Sequence, residues 1–261
     1  MCTLIILNGL PGPWPVVLAA NRDEFYGRPS EAPSFISDAP PIFAGRDLRA
    51  GGTWMGVTPG GFFAGLTNQR QPAGAATDRR SRGEVVVNVL RAGDGPSARR
   101  YLEGLDPTAY NPFNLVFGDA HKLEVVYARD TTRFAEVPRG LHVLPNDVLN
   151  APSFPKVIRA RALLAEAPPA GAGLLHRVAE TLADTTPPDA LPEEPGVPYP
   201  DEVRAALHSL CVRTPLYGTR SASIVALRPG GVSRYLFADG APDETPFVDM
   251  SAALREGDLH R

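Results

Sequence analysis

Cys2 and the run Asn21-Arg22-Asp23-Glu24 are the residues whose chemistry stands out first. A cysteine side chain is small enough for methionine aminopeptidase to trim an initiator methionine ahead of it. A chain beginning at Cys2 carries a thiol and a free α-amine on one residue, a nucleophile with a base attached. The two groups titrate at about 8.5 and about 8, close to working pH. An arginine beside such a cysteine favours its thiolate, and a carboxylate beside the amine holds and orients it. The bland reading of a charged run is a solvated ionic loop. Further residues fit an acyl-transfer site. Glycines at 51 and 52 permit close backbone approach ahead of Thr53 and Trp54. Asn68, at an expected strand end, can donate its amide to a developing oxyanion, or simply occupy a turn. Asn150 precedes Ala151-Pro152 and is expected in an extended loop. Arg220 can bind a carboxylate, brace the site or form a strand-edge ion pair.

The elements that must position these residues read as hairpins and helices. Thr3 to Leu7 and Val16 to Ala20 are apolar runs separated by Asn8-Gly9 and Pro11-Gly12-Pro13, the pattern of a hairpin. That hairpin brings the chain start alongside residues 21–24, just past the second strand's end. Pro29 to Pro41 reads as an irregular loop. Residues 54–58 and 62–67 form a second hairpin. Ser81 and Glu84 suggest a capped helix, followed by a short helix over 98–105. Residues 113–117, 123–127 and 133–137 read as a meander. Helices are expected over 155–166, 173–183 and 201–210, with a proline-rich acidic stretch over 185–200 between the last two. Residues 222–227 and 232–237 form a third hairpin. Antiparallel hairpins with helices between them give an α+β class.

Composition excludes several functions. Hydrophobic residues make up 43% and charged residues 21% of 261, as in an ordinary globular protein. A net charge of −3 offers no positive field for nucleic acid or an anionic membrane. No apolar run is long enough to span a bilayer. Two cysteines, Cys2 and Cys211, make no disulfide framework, so a reducing, cytoplasmic setting is expected, with Cys211 a core thiol. The five histidines are scattered without metal-ligand spacing, and no metal site is assigned. Lysine occurs only at 122 and 156; every other cation is arginine.

Several blocks together resemble one family. Leu18 through Pro29, containing Asn21-Arg22-Asp23-Glu24, matches the motif that names the NRDE family, which includes the eukaryotic transport and Golgi organisation protein 2. Gly51 to Gly56, Leu66-Thr67-Asn68, Asn111 to Leu115, Leu149 to Pro152 and Tyr217 to Arg220 resemble its further motifs, in order. The resemblance implies one domain over 1–261, with an N-terminal nucleophile hydrolase-like fold. That fold is an αββα sandwich of two antiparallel sheets between helical layers. It also implies Cys2, Asp23, Asn68, Asn150 and Arg220 as catalytic residues. Asn21, Arg22, Thr53 and Trp54 would bind substrate. The function so implied is a cysteine hydrolase cleaving a small-molecule, non-peptide amide bond without a cofactor. The alternative is a non-catalytic carrier of haem or another hydrophobic ligand. The related amidases space their arginine and aspartate as Arg-x-x-Asp, whereas Arg22 and Asp23 are adjacent. Strand neighbours point to opposite faces. Asn21 and Asp23 are therefore expected to share one face, with Asp23 turned inward toward Cys2.

Overall fold

The computed structural model describes residues 3–71, 74–193 and 199–259, with side chains to 255. Cys2 lies outside the described residues. In chain order the strands are β1 (Thr3–Asn8), β2 (Val16–Phe25), β3 (Ser30–Asp38), β4 (Pro41–Asp47), β5 (Met55–Val57), β6 (Phe63–Asn68), β7 (Phe113–Gly118), β8 (Leu123–Ala128), β9 (Thr132–Glu136), β10 (Gly140–Leu144), β11 (Tyr217–Arg228), β12 (Gly231–Ala238) and β13 (Val248–Asp249). The helices are α1 (Arg82–Ala92), α2 (Gly95–Glu103), α3 (Pro155–Leu164), α4 (Gly171–Leu182), α5 (Asp201–Leu207) and α6 (Ser251–Leu259).

The strands form two sheets, ordered β10-β1-β2-β11-β12-β13 and β3-β4-β5-β6-β7-β8-β9. All neighbouring strands pair antiparallel. Three apolar layers hold them. Leu4, Ile6, Leu18 and Ala20 of the first sheet meet Phe43, Met55, Phe63 and Val116 of the second. On the first sheet's outer face, Ile5, Leu7, Val17 and Ala19 pack on Val157 and Ala160 of α3 and on Leu174 and Val178 of α4. On the second sheet's outer face, Ile42, Ala64 and Leu66 pack on Val86 and Val89 of α1 and on Ala98 and Leu102 of α2. The order is therefore helix, sheet, sheet, helix. Burial on both faces explains why β1 reads as an unbroken apolar run rather than an alternating one.

Several local expectations change. Residues 29–41 are not an irregular loop: most of them form β3, an edge strand of the second sheet. Pro33 fits there because an edge strand need not donate every amide, and the register shifts between Glu31 and Ser34. The second strand does not stop at Ala20; β2 runs through Phe25, because β11 pairs with it from Tyr217 onward. The charged run thus lies within a strand, and Asn21, Arg22 and Asp23 are buried. Ser81 stands at the start of α1 but makes no side-chain cap bond; Glu84 accepts from the Tyr110 hydroxyl instead. The next helix starts at Gly95, capped by Asp94, whose carboxylate accepts from the Ser97 amide at 2.7 Å. The last expected helix ends at Leu207. Asn150 is not extended: its φ is 58°, the left-handed region that asparagine tolerates better than most residues.

Candidate active site

One end of the sandwich gathers most of the motif residues. Thr3 pairs with Asn21 across β1 and β2, and Leu4 pairs with Leu144 across β1 and β10. The segment after β10 is stitched to the second sheet. Thr67 Oγ1 donates to the Pro145 carbonyl at 3.0 Å, and Asn114 Nδ2 donates to the Asp147 carbonyl at 2.8 Å. Asn146 Nδ2 donates to the carbonyl of Asn68 at 2.7 Å. The start of β1, the charged part of β2 and the end of β6 therefore lie at one edge of the space between the sheets.

Alternation along β2 sorts its polar residues by face. Arg22 shares the inter-sheet side with Leu18 and Ala20. Its guanidinium lies 4.4 Å from the Trp54 ring centroid and pairs with Asp47 at 3.1 Å. A further bond reaches Ser30 Oγ at 3.3 Å. Burial lowers the Arg22 pKa, which Asp47 and Glu24 only partly offset. Burial also pushes the Asp47 carboxyl up, but hydrogen bonds from Arg28 and the Ala50 amide, with the charges of Arg28 and Arg22, hold it below the ordinary carboxylate range. Arg22 and Trp54 form a buried strut between the sheets.

Asn21 and Asp23 do share a face, as strand geometry requires. That face is the one covered by helices, so Asp23 is not turned into the space between the sheets. Asn21 Nδ2 donates to the carbonyls of Leu182 and Leu210, at 2.8 and 2.9 Å. Asp23 accepts from Lys156 Nζ of α3 at 3.2 Å and from Thr219 Oγ1 of β11 at 2.7 Å. The Val212 amide donates in turn to Thr219 Oγ1 at 2.9 Å. Sequence reasoning missed Lys156 and Asp47, while Thr219 lay inside the block 217–220 without a role of its own. Only Lys156 left a signal: it is one of two lysines in a chain that otherwise uses arginine.

Arg220 sits where the β2–β11 register shifts, between Thr219 opposite Asp23 and Ser221 opposite Arg22. A bulge of this kind re-aims a side chain. Its Nε is buried with no hydrogen-bond partner. Asn150 clamps the loop after β10. Its amide donates to the Val143 carbonyl at 2.8 Å, its Oδ1 accepts from the Val143 amide at 3.0 Å, and its Nδ2 meets His142 Nδ1 at 2.9 Å. Thr53 Oγ1 donates to the Met55 carbonyl at 2.9 Å. The glycine before Thr53 serves packing: a Cβ on Gly52 would come within 2.5 Å of the Gly83 backbone at the start of α1. Cys211 is a core thiol donating to Asp243 Oδ1 at 3.3 Å, and burial pushes it up to about 12. Among the described residues no three His, Cys, Asp or Glu side chains group as a metal site, and no helix is long and apolar enough to cross a membrane.

The family model described as Transport and Golgi organisation 2 matches residues 1–236. The chain belongs to that family. The Transport and Golgi organization protein 2 homolog of Bos taurus is 33% identical over 233 residues, covering 83% of each chain. Among solved structures, the N-acylethanolamine-hydrolyzing acid amidase ortholog of Caenorhabditis elegans superposes with a TM-score of 0.53 at 13% identity, covering 88% of this chain and 93% of that one. A variant of the conjugated bile acid hydrolase of Clostridium perfringens gives 0.51 at 14% identity, covering 97% and 93%. The fold is that of the N-terminal nucleophile hydrolases.

Proposed function

We propose that this protein is a cysteine N-terminal nucleophile hydrolase that cleaves a small-molecule, non-peptide amide, with Cys2 as nucleophile once it is the first residue. The observation that carries this reading is the convergence of the start of β1 with Asn21, Arg22, Asp23, Asn68 and Arg220 at one edge of the sandwich, in a fold shared with amide hydrolases. Leu4 and Ile6 alternate into the space between the sheets. Arg22 and Trp54 stand on that same side.

The chemistry asked of these groups is acyl transfer. The Cys2 sulfur attacks the amide carbonyl carbon and forms the C–S bond, while the thiol proton passes to the α-amine. Asn68 stabilises the oxyanion by donating to it. The C–N bond breaks as the α-amine returns the proton to the leaving nitrogen. Water then cleaves the thioester, releases the acid and restores the thiol. Arg220 would hold a polar group of the substrate with the guanidinium edge left unpaired at the bulge.

The test compares protein beginning at Cys2, protein retaining Met1 and Cys2→Ala on a panel of N-acyl amides. Turnover and an acyl adduct of matching mass on the Cys2 form alone support the reading. Equal turnover by Cys2→Ala or by the Met1-retaining form would sink it.

A further inference from the structure

The end of the sandwich opposite the motif residues holds a cavity of about 290 Å³. Asn8 closes β1 there, paired with Val16 and Gly140, while Thr3 begins β1 about 17 Å away. Three connections wall the cavity: the turn after β1, the turn between β7 and β8, and the link from β9 to β10. Its volume stands at the small end of ligand pockets, which run from about 300 to about 1,000 Å³. None of the residues assigned to the proposed hydrolase site lines it.

Several carbonyls around this cavity already have donors. Asn8 Nδ2 donates to the carbonyls of Val137 and Pro138, at 2.9 and 3.0 Å. The Pro15 carbonyl accepts from the Leu10 amide at 2.9 Å, and the Lys122 carbonyl accepts from the Asp119 amide at 3.0 Å. Arg139 Nη2 donates to the Gly9 carbonyl at 2.8 Å. That bond fixes the guanidinium and uses one of its five N–H donors. A Cβ on Gly9 would lie 2.7 Å from Arg139 Cζ and Nε, so a glycine lets the guanidinium lie against this turn. Lys122 Nζ stands 3.7 Å from Glu124 and 4.0 Å from Glu136, and Glu124 is held more closely by Arg99, at 2.6 Å. Long pairs between exposed side chains are weak, so the ammonium can exchange a carboxylate for a ligand oxygen.

We propose that this cavity is a second binding site, for a compact anion whose carboxylate or phosphate group is held by Arg139 and Lys122. A planar guanidinium presents paired N–H donors that match two oxygens of either group. Glu136 is the one carboxylate on the lining, and its side chain is 70% exposed, so solvent screens it. It opposes an anion weakly and would favour a cation, and its charge therefore gives the test a sign. The site lies apart from the hydrolase site and stands whether or not Cys2 is a nucleophile.

The test follows the backbone amides of the whole isotope-labelled chain by NMR. Inorganic phosphate and citrate are titrated separately, with sodium chloride holding the ionic strength constant. Saturable shifts of the Gly9 and Arg139 amides are expected with at least one of them, and which one responds distinguishes phosphate from carboxylate. Arg139→Met should weaken binding at least about tenfold, through loss of charge-assisted hydrogen bonds. Lys122→Met, on an exposed turn, should weaken it about threefold. Glu136→Gln should tighten it about twofold by removing the opposing charge. No saturable shift at millimolar anion overturns the proposal. So do equal shifts from sodium chloride alone, which mark an adventitious ion only. Parent-like binding by Arg139→Met, or weaker binding by Glu136→Gln, overturns it as well. Should Arg139→Met fail to fold, Lys122→Met and Glu136→Gln decide it.

Discussion

Replacing Asp47 by asparagine isolates the charge that Arg22 needs. Asp47 has two duties. Its Oδ1 accepts from the amides of Arg49 and Ala50, at 3.1 and 2.9 Å, which an asparagine oxygen can still do. Its Oδ2 faces Arg22 at 3.1 Å and Arg28 at 2.7 Å, and there the charge matters. The Arg22 side chain is 3% exposed and that of Asp47 12%, so solvent screens the pair little. Removing one partner of a buried pair costs about 3–5 kcal/mol, because the other charge is stranded. Arg22 keeps its contact with Trp54 and its bond to Ser30. That places Asp47→Asn at the lower end, about 3 kcal/mol. At about 2–4 °C per kcal/mol for a chain of this size, the melting temperature should fall by about 6–12 °C. Urea denaturation followed by tryptophan fluorescence measures the same loss. The double variant Arg22→Met with Asp47→Asn removes the stranded cation and should recover at least half of it. The pH dependence follows from the depressed Asp47 carboxyl. Its stabilising contribution is present above the unfolded carboxylate range and is lost as pH falls through the lower folded value. Asp47→Asn should therefore flatten the acid limb of the stability curve. A cost below about 1 kcal/mol, or a double variant no better than the single, would refute the view that Arg22 is a buried strut needing its anion.

Three other outcomes follow from the same geometry. Asn150→Ala should destabilise more than Asn150→Gly, by about 1 kcal/mol in urea titrations, because both lose the side-chain clamp but only alanine pays for a φ of 58°. Equal costs would show that the backbone relaxes there. Cys211, pushed up to about 12 by burial and by Asp243, should resist iodoacetamide at pH 8 in the native state and react at once in denaturant. His208, held down at about 4, binds its proton in the unfolded state first, so stability should fall as pH drops from the unfolded value of about 6.5 toward 4. The loss should reach up to about 3 kcal/mol, and His208→Gln should remove that slope.

How far the sequence carried differs between fold and site, for physical reasons. The hairpins at 3–20 and 222–237 were legible because their turns contain glycine and proline and their strands are β-branched. The doubling of the sheets was not legible from pattern. Strands buried on both faces lose the alternation that would reveal which side is which, and the family resemblance supplied that order. Pro33 hid β3, since a proline argues against a strand until the strand is known to be an edge. The run at 21–24 was expected beside the chain start, but the partners that bury it were not legible. What buries it is β11, nearly two hundred residues on, together with Asp47 and Lys156 from elements unrelated in sequence.

The adjacency of Arg22 and Asp23 takes on a definite meaning through those distant partners. One strand sends its arginine between the sheets and its aspartate toward the helices, and each meets its own counter-charge. Arg22 is neutralised by Asp47 and covered by Trp54; Asp23 is neutralised by Lys156 and accepts a hydrogen bond from Thr219. Neither is a free charge awaiting a substrate, so under the proposed function any influence on Cys2 would pass through position and field rather than through direct contact with an acyl group. The groups left with unspent hydrogen-bonding capacity are different ones: Thr3 Oγ1 and Asn21 Oδ1 on one face, and Arg220 Nε at the bulge. A division of labour follows. Arg22 and Asp23 build a charge-balanced platform, and under the proposed function substrate recognition would fall to Arg220 beside it. On that view Arg220→Met should impair substrate binding while leaving the fold intact, whereas Arg22→Met should first cost stability. A denaturation midpoint that falls equally for both would show that no such division exists.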